Sequence, residues 1–357
     1  MKRVAKNILI LAMMGLCTGL ASADQTRAMS GETSALPWPA GLPIYDHVVI
    51  VVEENKGYEQ IIGNPAAPYI NEVLKKEGAN FTRAYAEEHL SEGNYFWLFS
   101  GGNQGVGYLD VIPSAANNPA YPFTVANLGQ QLIAKGLSFK GFAESLPAIG
   151  FSGDYHDHGL YARKHVPWIS FANVPNGNTP ATSSNLRFVD FPADTAGYDA
   201  LPTVAFVVPN QANDMHNGSS ERSIPAGDAW LRQNLDHYYQ WAKDHNSLLI
   251  LTFDENDDKR RLIGLSDPAV DPRECVGPRR DREYCIELQN RIVTIFAGAH
   301  IKPGDYPEDR GITHVNILRT LEAMYGLPKS GSQQPKAAAA GISDDYIITD
   351  VFSGARR

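Results

Sequence analysis

Three polar clusters each follow an apolar run in this 357-residue chain. Glu53-Glu54-Asn55 follows His47 to Val52, Asn210-Gln-Ala-Asn-Asp-Met-His216 follows Thr203 to Val208, and Asp254-Glu-Asn-Asp-Asp258 follows Ser247 to Phe253. Glu54, Asn55, Asp254 and Glu255 carry the oxygen donors that a hard divalent cation takes. Such an ion serves phosphoryl transfer, in which charge builds on the nonbridging oxygens: a cation neutralises that charge and lowers the pKa of a bound nucleophile. Taken singly, acids at strand ends are ordinary helix caps and solvated turns. Three such clusters on one sheet edge would make a metal pocket.

Nucleophile and proton-transfer candidates are more scattered. A free serine is a poor nucleophile at neutral pH, and Ser91 lies between His89 and Asn94 in a Gly-containing turn, where a metal or a base could activate it. His165 precedes Val166-Pro167, and the proline favours an extended backbone that could hold the imidazole inward; a partly buried loop histidine is the plainer alternative. Asp214 and His216 are two apart, so on an extended strand end both face one side. His314 opens a helical pattern, where free backbone N–H groups favour a phosphate, although Thr313 as a cap explains that helix start without any function for His314.

The elements that must position these residues are legible as patterns. His47 to Val52, Thr203 to Val208, Ser247 to Phe253 and Arg291 to Ala297 are apolar runs of the kind found in strands buried on both faces of a parallel sheet. Helical patterns lie between and after them at Pro68 to Glu77, Thr124 to Lys135, Asp228 to His245 and Thr313 to Tyr325. The alternation predicts an α/β fold, a mostly parallel central sheet with helices on both faces. All carboxyl ends of such strands lie along one edge, so the three clusters should converge. Residues 45–357 read as a single domain. Within it, the Pro-, Asn-, Gly- and aromatic-rich region of about 103–200 reads as an insertion over the site. Lys329 to Ala340 reads as a flexible connector before a small closing element, Tyr346 to Phe352.

The N-terminus carries a basic start, an apolar run and the Ala21-Ser-Ala23 triplet, which together predict a signal peptide over residues 1–23 and an exported protein, periplasmic or secreted. Residues 24–44 read as an extended arm. Cys275 and Cys285 remain in the mature chain, and export favours a disulfide between them over a metal site. A net charge of -9 argues against nucleic acid and anionic membrane surfaces as bulk partners, and no stable membrane insertion is expected. The positive charge that a phosphate ester needs must then come from a metal or a few placed cations.

The stretch His47-Val-Val-Ile-Val-Val-Glu-Glu-Asn-Lys-Gly-Tyr-Glu59 resembles the opening motif of the phosphoesterase family that contains bacterial phospholipases C and secreted acid phosphatases. Further motifs resemble it in the same order: Ala84-Tyr-Ala with His89-Leu-Ser-Glu-Gly-Asn-Tyr95 and Phe99-Ser-Gly101, Tyr161 to Trp168, Phe206 to His216 with Gly227 to Leu231, Leu251 to Glu255, and His314 to Glu322. The resemblance implies an alkaline-phosphatase-like fold and one divalent metal ion, with Ca, Mg, Mn, Fe and Zn all possible. It makes Glu54, Asn55, Ser91, Asp254 and Glu255 the metal ligands and Ser91 also the nucleophile. His165, His216 and His314 become catalytic groups around the phosphate, while His89, Asn94, Lys164 and Asp214 become substrate-binding or orienting neighbours. Lys164 reads equally as a surface charge. The chain departs from the family pattern at Leu90 and Glu92-Gly93, where prolines are common, and at Asn256-Asp-Asp258, where a glycine-rich turn is usual.

The expected activity is an acid phosphatase acting on phosphate monoesters, either broadly or on a phosphoinositide headgroup. A phospholipase C-type phosphodiesterase is the alternative within the family; the long C-terminal extension of some phospholipases is not seen. Outside enzymes, the alternative is an exported protein that binds a phosphorylated ligand without turnover.

Overall fold

Val48 to Val52 carry β-branched side chains that fit a pleated surface and have no polar face to offer water, so the run is stable only as a central strand. That is where it lies in the computed structural model of the chain, which describes residues 41–106, 111–257, 290–308 and 311–353. In chain order the strands are β1 (His47–Glu53), β2 (Ala79–Phe81), β3 (Ala84–Tyr85), β4 (Phe139–Ala143), β5 (Tyr155–His156), β6 (Tyr161–Ala162), β7 (Asn185–Arg187), β8 (Val204–Val208), β9 (Ser247–Phe253), β10 (Arg291–Ile292), β11 (Thr294–Gly298), β12 (Gly304–Tyr306) and β13 (Ile312–Thr313). The helices are α1 (Tyr58–Ile61), α2 (Lys75–Glu77), α3 (Ser91–Ser100), α4 (Leu128–Ala134), α5 (Thr195–Tyr198), α6 (Ser220–Ala242), α7 (His314–Tyr325) and α8 (Pro335–Ala339).

The eight-stranded sheet has the order β12-β2-β11-β9-β1-β8-β4-β7. β1 pairs in parallel with β8 on one side and β9 on the other, and β4 continues the parallel run to β7. This is the expected mostly parallel α/β sheet. It departs from the expectation at β11, which runs antiparallel to both β9 and β2. The apolar run from Arg291 also divides: β10 pairs with β3 in a separate three-stranded sheet before β11 enters the large one. A fully apolar run reports burial, not direction.

Other expectations shift in instructive ways. The region of about 103–200 supplies β4, β7 and α4 to the sheet layers, so it is only partly an insertion. Lys140 and Gly141 interrupt the apolar pattern that would have marked β4 as a strand. α6 begins at Ser220, eight positions before the predicted Asp228, and carries Pro225 as its sixth residue, where the ring removes one intrahelical hydrogen bond; that proline is the signal that hid the helix start. Lys329 to Ala340 is not a loose connector. Buried Arg319 on α7 donates to Glu322 Oε2 (2.8 Å) and to Ser330 O (2.9 Å), and Ser330 Oγ donates to Glu322 Oε1 (2.6 Å). The segment then forms α8, whose start Gln334 caps through its side chain.

Residues 1–23, most of the predicted arm, and Cys275 with Cys285 lie outside the described residues. Among the described residues, no helix is long and apolar enough to cross a membrane.

Candidate active site

β8, β1 and β9 are parallel neighbours, so their carboxyl ends meet, and backbone hydrogen bonds pin the three following turns together. Glu54 N–H donates to Asp214 O (2.7 Å), and Asp254 N–H donates to Glu53 O (3.0 Å). Asn55 N–H donates to the Asp254 carboxylate at 3.0 Å. Asn55 sits at φ +43° and Met215 at φ +74°, left-handed conformations that turn the chain sharply at the sheet edge; asparagine tolerates this better than most residues. Buried Lys56 joins the two turns by donating to Asn55 O (3.1 Å) and Met215 O (2.9 Å).

Ser91 is the first residue of α3, a helix whose ten residues are all buried. Before it stands Leu90 at φ +79°, a strained position for a leucine that costs roughly 1–3 kcal/mol and persists only where surrounding bonds over-determine it. Those bonds come from Glu255 and Asn94. Glu255 Oε2 accepts from Leu90 N–H (2.9 Å) and lies 2.7 Å from His89 Nδ1, while Oε1 accepts from Asn55 Nδ2 (3.1 Å). Asn94 accepts at Oδ1 from the N–H groups of Glu87 (3.1 Å) and Glu88 (3.0 Å) and donates to Glu88 O (2.6 Å). The strain therefore aims Ser91 at Glu54. Ser91 Oγ donates to Glu54 Oε2 (3.0 Å), and Tyr95 Oη, one helical turn on, donates to Glu54 Oε1 (2.7 Å).

The centre carries more buried negative charge than its neighbours offset. Glu54, His165 and Asp214 bring ligand atoms within 4.8 Å of one another, all three side chains buried. His165 Nε2 lies 3.1 Å from Glu54 Oε1 without hydrogen-bond alignment, and Nδ1 lies 3.8 Å from Asp214 Oδ2. Burial, then the Asp214 charge, pushes the Glu54 carboxyl well above the usual range. Asp214 is likewise raised, by burial first and then by Asp254, and Asp254 by burial, then by Glu54 and Glu255. Burial also holds His165 neutral and pulls His314 down to about 4. Among the described residues, Asn55 Oδ1, Asp254 Oδ2 and Asp214 Oδ2 are buried without a hydrogen-bond partner. Orphaned oxygens among like-charged carboxylates are what a bound cation would satisfy, and the donor set of carboxylate, amide oxygen and hydroxyl suits a hard one. The residues fit a divalent metal.

A model of the phosphoesterase family matches residues 64–328. The chain belongs to the phosphoesterase family. It is 44% identical over 292 residues to the phosphatidylinositol-3-phosphatase of Mycobacterium tuberculosis, covering 82% of this chain and 81% of that one. It is 29% identical over 243 residues to a probable acid phosphatase of Kluyveromyces lactis, covering 66% of this chain and 54% of that one. The fold is similar, at a TM-score of 0.53 and 11% identity, to a protein in the alkaline phosphatase superfamily from Vibrio parahaemolyticus, over 83% of this chain and 70% of the other. This phosphoesterase is a phosphoric ester hydrolase with an alkaline-phosphatase-like fold.

The sequence-predicted residues of this phosphoesterase divide by what their polar atoms do. Glu54, Asn55, Ser91, Asp254 and Glu255 converge as expected, and His165 and Asp214 join them at Glu54. His216 is half-buried, with its ring 6.1 Å from that of His165 and its N–H on Asp214 Oδ1 (2.8 Å). His314 begins α7 as predicted, but its Nε2 lies 2.8 Å from Phe253 O, so the ring leans on the strand end that carries Asp254. Two of the expected substrate-binding residues have protein partners. Asn94 bonds through its amide to the backbone of residues 87–90, and His89 Nδ1 is paired with Glu255, so both hold the loop before Ser91. Lys164, half-buried beside His165, partly offsets through its charge the rise that burial imposes on Glu54 and Asp214. Tyr95 was not singled out as a site residue. Its spacing of four from Ser91 would have revealed it, had a helix been predicted there.

Proposed function

We propose that this phosphoesterase is an exported, divalent-metal-dependent acid phosphatase that hydrolyses phosphate monoesters through a phosphoserine on Ser91. The observation that carries the reading is the Ser91 hydroxyl, held 3.0 Å from Glu54 among buried carboxylates with orphaned oxygens. Glu54, Asn55, Ser91, Asp254 and Glu255 would hold the metal, Glu255 through Oε1, which gives one lone pair to Asn55 and keeps another while Oε2 is taken by Leu90 and His89. When bound, a divalent ion supplies charge neutralisation at the phosphoryl oxygens and favours the ionised serine. Ser91 gives up its hydroxyl proton along its hydrogen bond to Glu54, Oγ forms the bond to phosphorus as the P–O bond to the substrate alcohol breaks, and that alcohol oxygen takes a proton from a general acid. His165 and His314 are held neutral by burial and are poor first donors, which leaves half-buried His216 as the general acid. Water then cleaves the phosphoserine and frees Ser91. Export rests on the basic and apolar N-terminus with its Ala21-Ser-Ala23 triplet.

The 44% identical relative acts, by its name, on a phosphoinositide, which supports a phosphoinositide headgroup as the specific substrate. Hydrolysis of chromogenic mono- and diesters by the mature protein, with and without chelator and alongside Ser91→Ala, tests the general reading. Chelator-sensitive, Ser91-dependent monoester cleavage supports it. Preferred diester cleavage moves the assignment to a phospholipase C-type reaction, and binding without turnover moves it to a carrier. Phosphate release from phosphatidylinositol 3-phosphate, compared with glycerol phosphate, then decides between a headgroup enzyme and a broad one.

A further inference from the structure

Glu54 is gripped from one helix at two points. Ser91 and Tyr95 are four residues apart on α3, so their side chains rise on the same face, and each donates to a different oxygen of the Glu54 carboxylate, at 3.0 and 2.7 Å. The Tyr95 ring lies 5.2 Å from the His165 ring at an interplanar angle of 15°, a stacked pair. Both rings are fully buried, and His165 in turn faces Glu54 and Asp214. We propose that Tyr95 is a positioning residue: its hydroxyl locks the rotation of the Glu54 carboxylate, so that one oxygen always faces Ser91, and its ring fixes the plane of His165.

The physical case is one of degrees of freedom. A glutamate has three side-chain torsions, the last of them broad, and a single bond from Ser91 would leave the carboxylate free to swing. A second charge-assisted bond to the other oxygen removes that freedom before substrate arrives, and displacements of about 1 Å in a reacting group cost on the order of 100-fold in rate. Tyr95 suits the task because a phenol is a donor at neutral pH and its ring packs against His165. The same phenol contacts no other polar group among the hydrogen bonds of the described residues, so the bond to Glu54 is its structural reason for being there.

This inference rests on the catalytic reading of Ser91 and Glu54, and the test separates the two. Tyr95→Phe keeps the ring and the stack and removes one bond. In the folded variant, verified by near-ultraviolet circular dichroism, kcat on a phosphomonoester should fall about 10- to 100-fold with KM within about twofold. Manganese(II) affinity, followed by electron paramagnetic resonance, should fall about tenfold, and combining Tyr95→Phe with Glu54→Gln should add little to the loss from Glu54→Gln alone. Unchanged kcat together with unchanged manganese affinity overturns the proposal, as does full additivity in the double variant. If wild-type protein hydrolyses no phosphate ester, the catalytic reading falls, while the manganese titration still decides whether Tyr95 acts through Glu54.

Discussion

Replacing Glu87 with glutamine should change how stability depends on pH without touching the catalytic groups. Glu87 lies between β3 and α3, is buried, and accepts at Oε1 from Val315 N–H at 3.1 Å. Burial is the largest influence on it and outweighs the bonds from Thr313 and Val315, so its carboxyl is pushed up to about 8 from an ordinary 4.5. A carboxyl raised in the folded state binds its proton more tightly there than in the unfolded chain. Its contribution is therefore fully present below pH 4.5 and is lost as pH rises through about 8. At about 1.4 kcal/mol per pKa unit, stability should fall on the order of 4 kcal/mol between pH 5 and 9 from this residue alone. Glutamine has the shape of the neutral acid and cannot ionise. Urea unfolding at pH 5, 7 and 9 should show the two proteins close at pH 5 and Glu87→Gln the more stable by several kcal/mol at pH 9. Parallel curves across that range would refute the reasoning, because they would mean that Glu87 is already ionised in the fold. Glu88, pushed up to about 7 by burial, adds a slope of the same sign in both proteins.

Other outcomes follow from the geometry. Ser91→Ala should leave the fold intact and lower phosphomonoester turnover roughly 1,000-fold or more, read by steady-state kinetics; activity near wild type would remove Ser91 as nucleophile. Asp254→Asn replaces a buried charge that has an orphaned oxygen, so metal content after dialysis, measured by elemental analysis, should drop. Equal content would exclude Asp254 as a ligand. Gly141→Ala places a Cβ 2.0 Å from the Trp168 indole inside the sheet layer and should destabilise by about 2 kcal/mol or more in urea melts. Unchanged stability there would mean that the indole can move aside.

The acid-rich strand ends were legible because two separate signals agreed. Apolar runs marked β1, β8 and β9 as buried strands, and strands that pair in parallel, as these do, place their carboxyl ends on one edge. Glu54, Asn55, Asp214 and Asp254 therefore converge by topology alone. α3 was not legible, since Ser91 to Ser100 is buried on every side and shows no amphipathic period to detect. Missing the helix hid the four-residue relation between Ser91 and Tyr95. It also hid the ties from Asn94 to the loop that precedes Ser91.

The amino-acid order alone determined which runs are buried strands and the chemistry that the acids after them offer, because local pattern and residue type carry that information. Only the tertiary structure decided the rest. β11 runs antiparallel because its partners β9 and β2, not its own apolar residues, set its direction. Ser330 and its neighbours are anchored because Arg319 and Glu322, buried on α7, need them as hydrogen-bond partners. Tyr95 reaches Glu54 across 41 residues of sequence for the same reason: a buried carboxylate must be satisfied by whatever donor the packing brings beside it.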